Sequence, residues 1–374
     1  MSQESLPLSH SSKTPNTTAV AYPRVFIRAP NWVGDAIMAL PALRELRRIF
    51  AGSHISLAAR TWVQGLFEGE QLADCFISVD DARGLFGRAA RLISEATTLR
   101  REGFDLAVLL TNSFGTALAA RAGGIRRIAG YATDARRPLL DQVIPFESGY
   151  KTLHQVRYYL NIAAHIETAT TGASSVDLQG EPRLTVSERD KQSARSFLER
   201  LGIGVAAGGS PILVLNPGAT NSAAKQWPAE RFAKTADRMS ELQGFQTIIV
   251  GTAGDKSVAD EVSGLMCSKA SVIAGQTSIA ELKGVLACAR LVISNDTGTS
   301  HVAAALDVPT VVVFGPTEHV STRPLSRRAA VVRHNVECSP CMLRECPIDH
   351  RCMTRVEVDD VYAAAQNLLA GAAG

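Results

Sequence analysis

Short apolar runs alternate with helical patterns along most of this chain. In the first half the runs are Val25-Phe26-Ile27, His54-Ile55-Ser56-Leu57, Phe76-Ile77-Ser78-Val79 and Leu106-Ala107-Val108-Leu109-Leu110. Between them, residues 37–50 and 88–100 carry apolar positions at helical spacing. The second half repeats the scheme, with runs at 212–215, 247–250, 271–273, 291–293 and 310–314 and helical patterns at 228–242, 258–267 and 278–289. Strands that are apolar throughout are covered on both faces, and their alternation with helices predicts parallel sheets. Residues 167–180 are polar, small and aperiodic, which marks a linker between the halves. The expected architecture is α/β, with two doubly wound Rossmann-like domains facing a cleft. They cover residues 23–166 and 186–356, joined by a linker over 167–185 and followed by a C-terminal helix over 357–374. Ligands of such sheets bind at the carboxyl ends of the strands.

Composition narrows this picture. The chain has 374 residues, enough for two domains, and its 46% hydrophobic content suits large cores. No apolar run reaches the ~18 residues of a membrane span, so no transmembrane helix is expected. Residues 1–22 are Ser/Thr-rich without the apolar centre of a secretory signal, and read as a disordered tail. A net charge of +3 is too small to argue for nucleic acid. The arginines nevertheless cluster in the first half: Arg44, Arg47, Arg48; Arg88, Arg91, Arg100, Arg101; and Arg121, Arg126, Arg127, Arg136, Arg137. Solvated helix faces account for such groups simply; an anionic partner or membrane surface is the sharper account.

Candidate chemistry falls at the predicted strand ends. Asn295-Asp296-Thr297-Gly298-Thr299-Ser300-His301 follows one apolar run and precedes Val302-Ala303-Ala304-Ala305, which reads as strand, turn and helix start. Free N–H groups and the helix dipole make such a place suited to phosphate, and Gly298 permits close backbone approach. An ordinary N-cap is the plainer account. In the first half Arg28-Ala29-Pro30-Asn31-Trp32-Val33-Gly34-Asp35 follows the first run, placing Asp35 near a helix start as either a dipole-stabilised charge or a general base. In the second half Asn216-Pro217-Gly218-Ala219-Thr220-Asn221 leads to Lys225-Gln226-Trp227-Pro228, where a lysine ahead of a helix suggests a bound anion or simply a loop cation. No Gly-x-Gly-x-x-Gly, Walker A, Gly-x-Ser-x-Gly or His-Glu-x-x-His motif accompanies these turns.

Three motifs then carry a family resemblance: Asn31-Trp32-Val33-Gly34-Asp35 with Pro41-Ala42-Leu43, Asn216-Pro217-Gly218 with Lys225-Gln226-Trp227-Pro228, and Asp296-Thr297-Gly298-Thr299-Ser300-His301 with Ala303-Ala304. Over residues 24–361 the chain resembles the ADP-heptose:lipopolysaccharide heptosyltransferases of glycosyltransferase family 9. The first motif and the tail Arg344-Glu345-Cys346-Pro347-Ile348-Asp349-His350-Arg351-Cys352-Met353 are most similar to the family's type II branch. The resemblance implies a GT-B fold and inverting transfer with no cofactor or metal required. Its donor would be ADP-L-glycero-D-manno-heptose and its acceptor the first inner-core heptose of a Kdo-lipid A precursor. It also implies a cytoplasmic enzyme, peripheral at the inner face of the inner membrane.

Within the resemblance Asp35 is the expected general base and Lys225 the cation meeting the departing ADP, helped by Gly298, Thr299 and His301. Thr220 and Asn221 align with positions that touch the diphosphate. Asp296 is expected to order the turn or hold a sugar hydroxyl, with Thr297 and Ser300 completing the loop, and Asp255 is the candidate for the ribose. Cys338, Cys341, Cys346 and Cys352 cluster at Cys-x2-Cys-x4-Cys-x5-Cys spacing. They are expected either as unligated thiols structuring a surface loop or as a structural zinc site without a catalytic part. Other readings are a type I or III heptosyltransferase or another family 9 transferase, a sugar-nucleotide epimerase, and a metal or redox protein built on the cysteines.

Overall fold

The computed structural model describes residues 22–79, 84–205, 209–220 and 222–371. The first domain runs β1 (Arg24–Arg28), α1 (Val33–Ile49), β2 (His54–Arg60), α2 (Thr61–Phe67), β3 (Cys75–Val79), α3 (Gly84–Glu102), β4 (Leu106–Leu109), α4 (Phe114–Ala122), β5 (Arg127–Tyr131), β6 (Gln142–Ile144) and α5 (Gln155–Thr171). The second runs α6 (Glu188–Arg200), β7 (Ile212–Asn216), α7 (Ala229–Gln243), β8 (Gln246–Ile249), α8 (Lys256–Leu265), β9 (Ala270–Val272), α9 (Ile279–Ala287), β10 (Leu291–Asn295), α10 (Gly298–Ala305), β11 (Thr310–Val313), α11 (His319–Thr322), β12 (Ala329–Val332), α12 (Arg351–Thr354) and α13 (Val358–Gly371).

Each domain is built on a six-stranded parallel sheet. The orders are β3-β2-β1-β4-β5-β6 and β12-β11-β10-β7-β8-β9. Counted from the first strand of each domain, both follow one doubly wound scheme, reversing between β1 and β4 and between β7 and β10. The expected ligand positions are therefore the turns after β1 and β4 in one domain and after β7 and β10 in the other. The central strands β4, β7 and β10 are buried at every position, as apolar runs covered on both faces should be.

Two expectations about connections change. The predicted linker begins too early, because α5 continues to Thr171 and ends on Gly172 in the left-handed conformation. Glu167 lies inside α5 and is buried; it accepts hydrogen bonds from Ser174, Ser175 and the Arg48 guanidinium, which hold it down at about 2. The segment beyond is tied down rather than loose: Leu184 is buried and its N–H donates to Ala305 of the other domain. The C-terminal helix α13 packs into the second domain, with Val361 and Ala365 in its core. The tail expected over residues 1–22 lies outside the described residues except for Tyr22, whose ring meets Phe50 edge-on.

The domains touch through two helix pairs. Helix α1 packs along α10, and α2 packs against α9, where Lys283 is buried and donates to the Glu68 carbonyl at 3.1 Å. The first pair brings the two motif-bearing turns face to face.

Candidate active site

The first-domain side is sparse. Trp32 precedes α1 in extended conformation without a side-chain cap, and Asp35 is the only acid of the first turn. Arg28 holds the preceding turn, donating to the Ala29 and Ala58 carbonyls and to Asn31 Oδ1. Asp35 accepts no hydrogen bond from any described residue. Partial burial raises its carboxyl to about 6, and the Lys225 charge opposes that rise. A carboxyl shaped in this way is ionised at neutral pH yet remains basic enough to accept a proton.

The second-domain side is densely bonded. Lys225 ends a short turn, Ala223–Lys225, and its Nζ pairs with Asp296 Oδ2 at 2.9 Å and reaches the Asp296 carbonyl at 3.3 Å. Thr317, after β11, donates to the same carboxylate at 2.7 Å. Asp296 thus orders the turn, as one of its two expected roles required, and fixes Lys225 above the start of α10. Asn295 is fully buried; its amide donates to the Pro217 carbonyl at 2.7 Å and its Oδ1 accepts from the Trp227 N–H at 3.0 Å. That side chain joins the β7 and β10 turns. Asn216 adds a bond to Thr297 Oγ1 at 2.7 Å.

The α10 start keeps open donors. Thr297 provides no side-chain cap, and with the Ser300 N–H donating to the Thr297 carbonyl at 3.2 Å the Gly298 and Thr299 N–H groups remain available to an anion. Thr299 is partly exposed there. Ser300 is placed differently from expectation: it is buried and its hydroxyl donates to the Thr297 carbonyl at 2.7 Å, facing the helix rather than the cleft. His301 is buried, which lowers its imidazole to about 4, so it is neutral near pH 7 and can offer one N–H without a charge. The two domains meet at this point. A Cβ on Gly34 would lie 3.2 Å from His301 Cδ2, and one on Gly298 would lie 2.6 Å from Val33 Cβ. Glycine at 298 therefore permits the contact between α1 and α10.

Other expected site residues scatter. Thr220 is exposed on the β7 turn, and Asn221 lies outside the described residues. Asp255 already serves a capping box, accepting from the Thr252 N–H and hydroxyl at 2.8 and 2.6 Å. It also packs against Gly218, where a Cβ would lie 2.3 Å from its carboxyl carbon. Asp255 thus shapes the β7 turn.

The cysteine-rich loop has an unexpected part. Ala224 donates its N–H to the Arg344 carbonyl at 3.0 Å, and its carbonyl pairs with His350 Nε2 at 2.6 Å. The loop braces the residue before Lys225. Cys352 is buried, and burial with the neighbouring Cys338, Cys341 and Cys346 thiols pushes it up to about 11. Among the described residues no set of three or more His, Cys, Asp or Glu is arranged to hold a metal ion.

Thr317 was missed by sequence reading, whereas Asn295 and His350 stood in its motifs without an assigned role. Thr317 had a usable signal, since Gly315-Pro316-Thr317 follows an apolar run and is itself a strand-end turn. His350 had none, because its partner lies 126 residues away.

Known proteins share this arrangement. The sequence profile of glycosyltransferase family 9 (heptosyltransferase) matches residues 93–351. Lipooligosaccharide heptosyltransferase 2 of Haemophilus ducreyi is 29% identical over 321 residues, spanning 83% of this chain and 88% of that protein. The structure of Escherichia coli ADP-heptose lipopolysaccharide heptosyltransferase II superposes with a TM-score of 0.77 at 24% identity, covering 94% of this chain and all of that one. A family 9 glycosyltransferase from Veillonella parvula superposes with a TM-score of 0.78 at 24% identity, covering 94% and 98%. The fold is the GT-B arrangement of two facing domains. This chain belongs to glycosyltransferase family 9 and is a glycosyltransferase, which removes the epimerase and the cysteine-centred redox protein as readings.

Proposed function

We propose that this enzyme adds the second heptose of a lipopolysaccharide inner core, moving L-glycero-D-manno-heptose from ADP-heptose to the first heptose of a Kdo-lipid A precursor. One observation carries the reading: Asp35, without a hydrogen-bond partner among the described residues, faces a cation fixed on the other domain, Lys225 on Asp296. The acceptor hydroxyl would attack the anomeric carbon and give its proton to Asp35 as the bond to the departing ADP breaks. Negative charge growing on the β-phosphate would meet Lys225, the α10 N–H groups and the neutral His301. Base and leaving group act from opposite sides of the sugar, which yields inversion. The curated relatives of type 2 support the choice of acceptor.

No divalent ion is required on this reading, because lysine and helix dipole take its electrostatic part. Activity should survive EDTA. Loss restored by magnesium or manganese would make Asp296 a metal ligand instead, and loss restored by zinc alone would implicate the cysteine loop. The acceptor is lipid-anchored, so the enzyme works at the cytoplasmic face of the inner membrane. No described helix is long and apolar enough to cross it.

The deciding assay supplies ADP-heptose with Kdo-lipid A that carries either no heptose or one. Product one heptose heavier only from the second acceptor supports the reading. Transfer to the unheptosylated acceptor would assign the type I reaction, and transfer only to a longer core would assign type III.

A further inference from the structure

Helix α3 is amphipathic in the wrong direction for a helix that faces water. Phe86, Ala90, Ile93 and Thr97 stand at i, i+4, i+7 and i+11 and share one face, and all four are exposed. Phe86 is 90% exposed and Ile93 65%. The opposite side turns charge inward: Glu95 lies 3.9 Å from the buried Arg28, and Arg91 Nε is buried. Only Leu99 of the described side chains of α3 is fully covered. Large apolar side chains lined up in water on one helix face point to a partner.

The flanking charge says which partner. Arg100 and Arg101, seven and eight residues after Ile93, are exposed on the side of the stripe, whereas Glu102 pairs with Arg24 and Glu95 faces inward. The outward charges of α3 are therefore all positive. A second copy meeting this face across a two-fold axis would set arginines against arginines. An anionic lipid surface satisfies both features, taking Phe86 and Ile93 among its headgroups and acyl chains and the guanidiniums against phosphate. The other arginine groups are less free to do this: Arg44 and Arg47 pair with Glu70 and Asp74, Arg48 with Glu45 and Glu167, Arg121 with Asp141, and Arg136 is buried. Exposed large aromatic side chains also fall on one domain only. Trp32, Trp62, Phe76, Phe86, Phe114 and Phe146 are all in the first, with none among the described residues of the second.

We infer that the outward face of α3 is the bilayer-docking surface of this enzyme, with Phe86 and Ile93 inserted and Arg100 and Arg101 on anionic headgroups. The inference rests on the lipid-anchored acceptor proposed above. Helix α3 begins at the carboxyl end of β3, and the Asp35 turn lies at the carboxyl end of β1 in the same parallel sheet.

The test uses the full chain with vesicles of phosphatidylcholine alone or mixed with phosphatidylglycerol. The mixed vesicles should bind it. The double variant Phe86→Ser, Ile93→Ser should bind them at least tenfold more weakly, and Arg100→Gln, Arg101→Gln should lose most of the salt sensitivity. Both variants should retain transfer to a deacylated, water-soluble acceptor, which shows that they fold. Unchanged vesicle binding in both variants would overturn the inference. Conversion of a wild-type dimer to monomer by Phe86→Ser, Ile93→Ser would do so as well, making the occupant a second copy. Vesicle binding that behaves as expected without transfer to any heptosylated acceptor would instead fail the proposed reaction and leave the docking surface standing.

Discussion

The two domains share a strand order and differ in what their strand ends carry. In the second domain the turns after β7, β10 and β11 are bound to one another: Asn295 joins two of them, and Asp296 gathers Lys225 and Thr317. In the first domain the corresponding turn presents Asp35 without a hydrogen-bond partner among the described residues, beside exposed Trp32. One side is a fixed electrostatic surface suited to a diphosphate that must not reorganise as it departs. The other keeps a single reactive group for an acceptor that enters and leaves. Equal topology thus supports unequal chemistry, and the site exists only where α1 meets α10.

Asp35→Asn is the most severe way to break this division. It should lower turnover about a hundredfold or more, the usual scale of general-base loss, while leaving ADP binding intact. It should not destabilise the fold. A carboxyl raised above its ordinary value favours the folded state while protonated, and that contribution is lost as pH climbs through about 6. The asparagine variant should therefore melt no lower than wild type at pH 7.5, by calorimetry.

Lys225→Ala should act on the other side, raising the donor KM and lowering kcat together, because its attraction for the diphosphate exists both before and during transfer. A combined loss in kcat/KM of about ten- to a hundredfold corresponds to the 1.5–3 kcal/mol of a charged hydrogen bond. A fall in kcat alone would mean that Lys225 does not hold the donor in the ground state.

The brace predicts a smaller effect. His350→Ala removes one of the two bonds on Ala224, and should raise the donor KM severalfold, in line with the 0.5–1.5 kcal/mol of one neutral hydrogen bond. Acceptor KM should stay unchanged. Equal changes in both would reduce His350 to general loop stability and detach the cysteine-rich loop from the site.

The contrast also explains what the sequence made legible. Central strands such as Leu106–Leu109 and Leu291–Asn295 are apolar because both faces are covered, and they stood out. The edge strands β6 and β12 are three and four residues long, the latter only half-buried, and β5 carries Gly130 where a side chain would meet Arg136. The polar ends of β5 and β6 break their apolar runs, while β12 is a short apolar run of alanine and valine, and all three escaped notice. Asp35, Lys225 and the α10 turn were visible because each belongs to a short motif at a strand end. Their partners were not: Thr317 is 21 residues from Asp296, and His350 is 126 from Ala224. The arginine groups divide for a related reason: sequence shows their clustering but not the carboxylates that pair with Arg44, Arg47, Arg48 and Arg121.

The central claim is that Asp35 and Lys225, from different domains, act within one electrostatic field. The pH dependence of kcat/KM in wild type and in Lys225→Met tests it most directly. Wild type should gain activity with rising pH through an acid limb near 6, where burial sets Asp35. Losing the lysine should move that limb upward, because Lys225 pulls Asp35 down. An acid limb that stays at the same pH in the variant would contradict the account.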